Sequence, residues 1–205
     1  MAGFDLSGSE IRYGSLAGAN FDGTDLSDAR VRDSDLNGAN FSGADLTDSI
    51  FRDVSAIGAN FTGTDLVGTE FMWTDVSGSN FSRSSLDDVE FNESNLEGAN
   101  FADATITDSE LISVNAGAAN FDRVSFYKVD IDQINLSDAF ARDGTWSAVS
   151  ASGASIAGLN LSGTAMNEVD LEDASGTPVL GTFANWTAVT CPDGASASDR
   201  ICSWQ

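Results

Sequence analysis

The chain of 205 residues contains no histidine, only two cysteines and two prolines, and few basic residues. Without histidine it lacks the commonest general base and metal ligand. Two cysteines cannot complete a structural zinc site by themselves, and the sequence has neither a phosphate-binding P-loop nor a nucleophile elbow. These absences predict that the protein is not an enzyme and needs no cofactor.

The shortage of basic residues leaves nine Lys and Arg against 32 Asp and Glu, for a formal net charge of −23. Such a charge argues against nucleic acid or an anionic membrane as partner and favours solubility, an unidentified protein partner with a basic surface, or both. No run of 18 apolar residues could span a membrane. Met1 is not followed by the basic and then apolar stretch of a signal peptide, which leaves open whether a leader was removed.

What the chain has in abundance is a five-residue repeat. From Leu6 to Leu171 every fifth residue is Leu, Ile, Val, Phe, Met, Trp or Ala, and the residue two places earlier is uncharged. A period of five fits neither the 3.6 residues of an α-helix turn nor the two-residue alternation of a flat strand. The four letters Gly-Ala-Asn-Phe also recur every 20 residues, beginning at Gly18, Gly38 and Gly58. Four short extended segments, each followed by a turn, would close one coil of 20 residues.

The repeat units resemble those of the pentapeptide-repeat family, A-(D/N)-(L/F)-x-x. Clear examples are Ala19-Asn20-Phe21-Asp22-Gly23 and Ala44-Asp45-Leu46-Thr47-Asp48. The resemblance covers about residues 4–174 and implies an all-β fold, a right-handed quadrilateral parallel β-helix of about eight and a half coils. We therefore assign 1–175 to the β-helix and 176–205 to a C-terminal cap.

Stacked coils place like residues in columns, and most columns are expected to be structural. The repeated Phe column from Phe21 to Phe121 should fill the interior. The Asn column beside it is either a ligand-binding stripe or, as we expect, a stack that bonds to turns and to itself. Phe4 is expected to plug the open end, and Phe140 or Trp146 to fill space beside small central residues.

Two adjacent sides of the predicted rod carry most of the acidic residues. We expect an acidic face formed by Asp25, Asp28, Asp45, Asp48, Asp65, Glu70, Glu90 and Glu93. Its side chains would face either solvent or a partner protein.

A second surface feature mixes basic, aromatic and apolar residues. Its members are Arg12, Tyr13, Arg32, Arg52, Met72, Trp73 and Ile112. Exposed Arg, Trp, Tyr and Met are favoured in interfaces, so the group is a candidate partner-contact patch. The alternative is a solvated edge with incidental apolar residues.

The tail changes in composition after Gly176-Thr177-Pro178. The stretch from Trp186 to Gly194, followed by Cys202, resembles the tail of exported bacterial pentapeptide-repeat proteins and implies a Cys191–Cys202 disulfide. Such a bond would contribute about 3 kcal/mol and favours a periplasmic or extracellular location. Two free thiols would instead indicate the cytoplasm. The tail aromatics, Phe183, Trp186 and Trp204, are expected to cover the last coil.

Together these features predict a non-catalytic scaffold that presents an acidic rod to a protein partner. The family resemblance implies one alternative, a DNA mimic that binds a type II topoisomerase and inhibits it or protects it from poisons. The chain shows neither the long C-terminal amphipathic helix nor the projecting loop that some such mimics use. Unpaired strands at the rod ends also make end-to-end homo-oligomers an expectation.

Overall fold

The structure, a computed structural model, describes residues 3–181, 185–197 and 202, and the described residues form strands and turns without a helix. The strands are β1 Glu10–Arg12, β2 Arg30–Arg32, β3 Ile50–Arg52, β4 Glu70–Met72, β5 Ser85–Asp87, β6 Glu90–Asn92, β7 Thr105–Thr107, β8 Ser125–Asp130, β9 Thr145–Ser150, β10 Ala165–Asp170 and β11 Trp186–Thr190. They pair in the orders β1-β2-β3-β4-β6 and β11-β10-β9-β8-β7-β5.

Every named strand pair is parallel and joins residues 20 positions apart, as in Val31 with Phe51 and Phe51 with Phe71. Isolated bridges, such as Asn40 with Asn60, continue the same spacing between the named strands. One coil of 20 residues therefore lies on the next, and the chain forms a β-solenoid of about nine turns. The predicted parallel β-helix is confirmed.

A left-handed residue stands at every corner of the coil. Every fifth residue from Gly3 to Asp173 has a positive φ, and most of these residues are Gly or Asp. At many corners the central residue accepts a bond from the backbone three positions later, as Leu26 O does from Ala29 N–H at 3.0 Å. A turn whose third residue has positive φ is the type II pattern. It folds each five-residue unit into an extended piece and a bend.

The core is a column of stacked side chains. Phe81 is fully buried and stacks face to face on Phe61 and Phe101, with ring centroids 4.6 and 4.8 Å apart. Its edge-on neighbours Phe71 and Phe91 lie 6.1 and 6.0 Å away. The ring spacing matches the strand spacing of about 4.8 Å, so aromatic stacking and backbone pairing reinforce each other.

The structure places Phe4, Phe140 and Trp146 in different environments, and the predictions for them differ in outcome. Phe4 is 63% exposed and does not plug the open end, so that prediction is wrong. Phe140 is also exposed, because it takes an outward place in the Asn column, and its ring lies 5.2 Å from the Arg142 guanidinium. Trp146 is buried against Phe126 and fills the interior.

The Asn column bonds to itself and to the turns. Asn60 Nδ2 donates to Asn40 Oδ1 at 2.8 Å, and Asn40 Nδ2 donates to Asn20 Oδ1 at 3.0 Å. The same Asn40 oxygen accepts the backbone N–H of Ser42 at 3.2 Å. These bonds account for the column in structural terms.

The regular spacing slips once near the end. Asn160 pairs with Val179, 19 residues away, whereas Met166 pairs with Trp186 at the usual 20. Thus β11, which lies inside the segment assigned to the cap, continues the solenoid; the predicted boundary at 175 stays a prediction. Phe183 and Trp204 lie outside the described residues.

The described tail closes the last coil. Residues 191–197 turn back antiparallel to β11, and the Cys191–Cys202 disulfide is present, as predicted. Both cysteines are buried. No helix among the described residues is long and apolar enough to cross a membrane.

Candidate interaction surfaces

The first acidic feature is a column of aspartates with one carboxylate in each coil. Bridges join Asp5 to Asp25, Asp25 to Asp45 and Asp45 to Asp65. One oxygen of each side chain accepts a backbone N–H two residues later, at 3.0 Å from Ser27 to Asp25. In Asp5, hydrogen bonds from the Ser7 hydroxyl and N–H lower the carboxyl pKa. The turns therefore hold these carboxylates in fixed positions.

A second acidic column begins where the first ends. Glu70, Glu90, Glu110 and Asp130 stand one above the other in successive coils. Two unit charges at strand spacing repel by about 0.9 kcal/mol in water. Burial raises the pKa of Asp130, and the carboxylate of Asp132 adds to this rise. The column therefore places like charges in successive coils.

The remaining predicted acidic residues lie in two different settings. Asp28 and Asp48 stand exposed at a corner, both with positive φ. In the next coil Gly68 takes their place, and Asp48 Oδ1 occupies the space that a Cβ at Gly68 would need. Glu93 belongs elsewhere, since its Oε2 accepts the indole N–H of Trp73 at 3.1 Å.

The mixed patch is partly assembled by strand register. Arg12, Arg32, Arg52 and Met72 follow one another in a single column across β1 to β4. Arg12 bonds to Glu10 at 2.7 Å. The Arg52 guanidinium lies 4.5 Å from the Trp73 ring and 3.6 Å from Asp53. Among the described residues no ion pair reaches Arg32.

One residue beside this patch was not predicted, and one predicted member lies apart from the others. Arg30 lies two residues before Arg32 on β2 and also has no ion pair within the described ranges. The alternation of side chains along a strand could have identified it. Ile112 lies in the same column, but Asn92 separates it from Met72, and it is one coil beyond β6, the last strand of this sheet.

The two aromatic members of the patch occupy strained backbone positions. Tyr13 has a φ of 53° and Trp73 a φ of 52°, and both side chains are exposed, by 77% and 42%. Bulky residues rarely adopt this conformation, and outliers of this kind cluster at functional sites. Three coils separate the two rings, or about 14 Å at the strand spacing, so they do not touch.

On the side of the rod opposite the mixed patch, acidic and basic residues form ion pairs. Arg83, Asp103, Arg123 and Asp143 alternate in one corner column, and Arg123 binds Asp103 through two bonds of 2.6 and 2.8 Å. The Arg142 Nε binds Asp122 at 3.0 Å. Burial opposes ionisation of Asp122, but the bonds from Arg142 outweigh it and lower the pKa. This side is therefore balanced, unlike the acidic columns.

The described residues offer little to a small ligand. A shallow recess beside Gly117 is lined by polar groups of Glu97, Asn115, Asn135 and Asp138. No group of three or more Asp, Glu or Cys side chains in the described ranges is placed to hold a metal ion. The extended columns are thus the main surface features.

Comparison with family profiles decides the relationship. The pentapeptide repeat region profile matches residues 12–81, and the pentapeptide repeats (8 copies) profile matches residues 84–117 and 99–138. The chain belongs to the pentapeptide-repeat family. Pentapeptide-repeat proteins are generally structural and non-catalytic. No curated protein matches the chain significantly.

Among similar solved structures, HetL shares this fold. HetL, a pentapeptide repeat protein involved in heterocyst differentiation regulation in the cyanobacterium Nostoc sp. strain PCC 7120, is 19% identical with a TM-score of 0.51; the alignment covers 95% of this chain and 92% of HetL. QnrB1, a plasmid-mediated fluoroquinolone resistance protein, is 22% identical over 91% of this chain and 88% of its own, with a TM-score of 0.47. Similarity at these levels concerns fold and not function.

Proposed function

We propose that this pentapeptide-repeat protein is a non-catalytic scaffold whose acidic columns bind a protein partner with a basic surface. The observation that carries the proposal is the column from Asp5 to Asp65, in which turn amides fix one carboxylate per coil. Fixed charges lose little conformational entropy when a partner binds. They also steer an oppositely charged surface during encounter.

The test removes charge without changing the turns. Asp25→Asn with Asp45→Asn neutralises the middle of the column, and an Asn side chain makes the same turn bond, as Asn40 does with Ser42. The matched control is Asp35→Asn with Asp75→Asn. These two aspartates make equivalent turn bonds on another side of the rod, to Asn37 and Ser77.

The readout is quantitative capture of native proteins by wild type and both variants. We expect proteins captured by wild type and by the control to be depleted on the Asp25/Asp45 variant, and to be released by salt. Equal capture by all three proteins would contradict the proposal. Circular dichroism of the variants checks that the coil is intact.

A second candidate function is a DNA mimic that binds a type II topoisomerase. It is favoured by the two acidic columns, Asp5 to Asp65 on one side of the coil and Glu70 to Asp130 on the next side. Rows of regularly spaced anionic groups are also what a DNA-binding groove recognises. A DNA gyrase supercoiling assay tests it: inhibition, or protection from a poison, should be lost in the Asp25/Asp45 variant. No effect at micromolar protein removes this candidate.

We also propose that the protein works in an oxidising compartment, because its two cysteines are joined. Disulfides persist in such compartments and are rare in the cytosol. Titration of free thiols in native, never-reduced protein should find none. Two reactive thiols would overturn this assignment and leave the scaffold proposal standing.

A further inference from the structure

Within residues 3–181, the first coil has an unpaired backbone edge. In a regular coil the outward residue bonds to the preceding coil twice: Asp130 N–H donates to Ser109 O at 3.0 Å, and Asp130 O accepts from Leu111 N–H at 2.7 Å. Glu10 holds the equivalent place in the first coil. Among the described residues its N–H and C=O make no hydrogen bond, so they form an unpaired parallel edge.

The last coil has the matching edge, but its groups are occupied. By the same register, the next coil would donate to Val189 O and accept from Cys191 N–H. Instead, Ala197 N–H donates to Val189 O at 2.8 Å, and Ala195 O accepts from Cys191 N–H at 2.7 Å. The hairpin of residues 191–197 therefore stands where another coil would begin.

Side chains at the two ends are also compatible with stacking. Leu6, Ile11 and Leu16 remain partly exposed, whereas their counterparts one coil later are buried. Residues 185–192 carry no charge, so β11 lacks the charged side chains that usually protect an edge strand. If the first coil of a second copy continued this register, its Ile11 would stack on Cys191 and its Glu10 would stack on Thr190. Glu10 would then not lie next to another acidic residue.

We propose that the hairpin is a stop held by the Cys191–Cys202 disulfide, and that it competes with the first coil of a second copy of this chain. When the disulfide opens, copies stack head to tail. Glu10 of one copy then bonds to Val189 and Cys191 of the next, and the solenoid continues across the junction. The inference does not depend on the proposed function.

The opening step is a two-electron reduction by a dithiol. The S–S bond breaks, both cysteines gain a proton to become thiols, and the dithiol is oxidised to its own disulfide. The tethered hairpin then remains in place only through its few backbone bonds. Because the hairpin stays joined to β11 by a short tether, its effective concentration at the last coil is in the millimolar range. Without the disulfide, however, the hairpin folds onto β11 less readily.

The test uses the full chain with Cys191→Ala and Cys202→Ala. Alanine is suitable because the fold already accepts it at central positions, as at Ala141 and Ala151. Analytical ultracentrifugation should show wild type as a monomer and the variant at multiples of the monomer mass, at least doubling the average mass. Wild type treated with dithiothreitol should behave like the variant.

The decisive control is Glu10→Pro in the cysteine-free background. Proline removes the Glu10 N–H and leaves the bonds from the first to the second coil intact, so the monomer should return. Glu10→Ala retains the N–H and should still assemble. A cysteine-free protein that stays monomeric, or assembly that survives Glu10→Pro, would overturn the proposal. Circular dichroism separates assembly from unfolding.

Discussion

At the scale of single residues, corner positions explain which side chains the fold requires and which it tolerates. Gly and Asp dominate these positions because they accept positive φ at low cost. Tyr13 and Trp73 occupy the same kind of corner without that advantage. Trp73 contacts Arg52 and Glu93 within the coil, whereas Tyr13 is largely exposed.

Tyr13→Gly should therefore stabilise the protein. Tyr13 is largely exposed, so its removal loses little packing, while glycine relieves a left-handed strain of about 1 kcal/mol. Denaturant unfolding should show a higher midpoint with an unchanged slope. The converse change, Gly18→Tyr, should lower the midpoint by a similar amount; Gly18 has a φ of 68° and open space around it. A lower midpoint for Tyr13→Gly would contradict the strain argument.

Two aspartates should affect stability with opposite dependence on pH. Arg142 lowers the pKa of Asp122 in the folded protein. The Asp122 carboxylate therefore adds to the free energy of unfolding above its unfolded pKa, and this stabilisation is lost as pH falls through the folded pKa. Burial raises the pKa of Asp130 in the folded protein. The Asp130 carboxylate therefore lowers the free energy of unfolding as pH rises through its unfolded pKa, and this loss is complete above its folded pKa.

Asp122→Asn should hence destabilise the protein at neutral pH and have little effect in strong acid. Asp130→Asn should stabilise it at neutral pH and also lose its effect in acid. Denaturation at several pH values measures both. The same sign for the two variants at pH 7 would show that the assigned causes are wrong.

At the scale of structural elements, the residue columns were predictable and the irregularities were not. A strict period of five makes the inward columns visible, including the Phe stack and the Asn ladder. The sequence marks a change at Gly176-Thr177-Pro178, but it does not predict the one-residue slip between Asn160 and Val179. Phe4 is exposed because no preceding coil among the described residues covers it, and the repeat pattern gives no sign of this.

The Phe column should dominate stability. Phe81→Ala removes a fully buried ring with two stacked and two edge-on neighbours, and should cost about 3–5 kcal/mol. Phe4→Ala is the matched control, because the same change at an exposed ring should have almost no effect. Urea denaturation compares the two. A Phe81→Ala protein as stable as wild type would mean that the interior is not a packed column.

At the scale of the whole molecule, the acidic columns place carboxylates in successive coils along the rod. The register that places Asp5, Asp25, Asp45 and Asp65 one per coil could be predicted from the 20-residue period. Their partner could not, because columns of carboxylates specify the sign of a binding surface and not its identity. The mixed patch from Arg12 to Trp73 stays a prediction, and its ion pairs could not be predicted because they depend on side-chain conformation.

Added salt should consequently raise the melting temperature. Screening at 1 M ionic strength acts over about 3 Å and weakens repulsion between stacked carboxylates. The Asp25→Asn/Asp45→Asn variant should melt higher than wild type at low salt and show a smaller increase with salt. The Asp35→Asn/Asp75→Asn control removes the same charge from separated positions and should change less. Melting that is independent of salt would contradict repulsion within the columns.

A solenoid loses structure from its ends, because each coil contacts only its neighbours. The two ends of this rod differ, so hydrogen exchange should be asymmetric. Amides around Ile11 should exchange fastest, those around Phe81 slowest, and those of β11 should stay protected while the Cys191–Cys202 bond is intact. After reduction at high dilution, where copies remain apart, β11 should exchange as rapidly as β1. Equal exchange at both ends of the oxidised protein would mean that the hairpin does not close the rod.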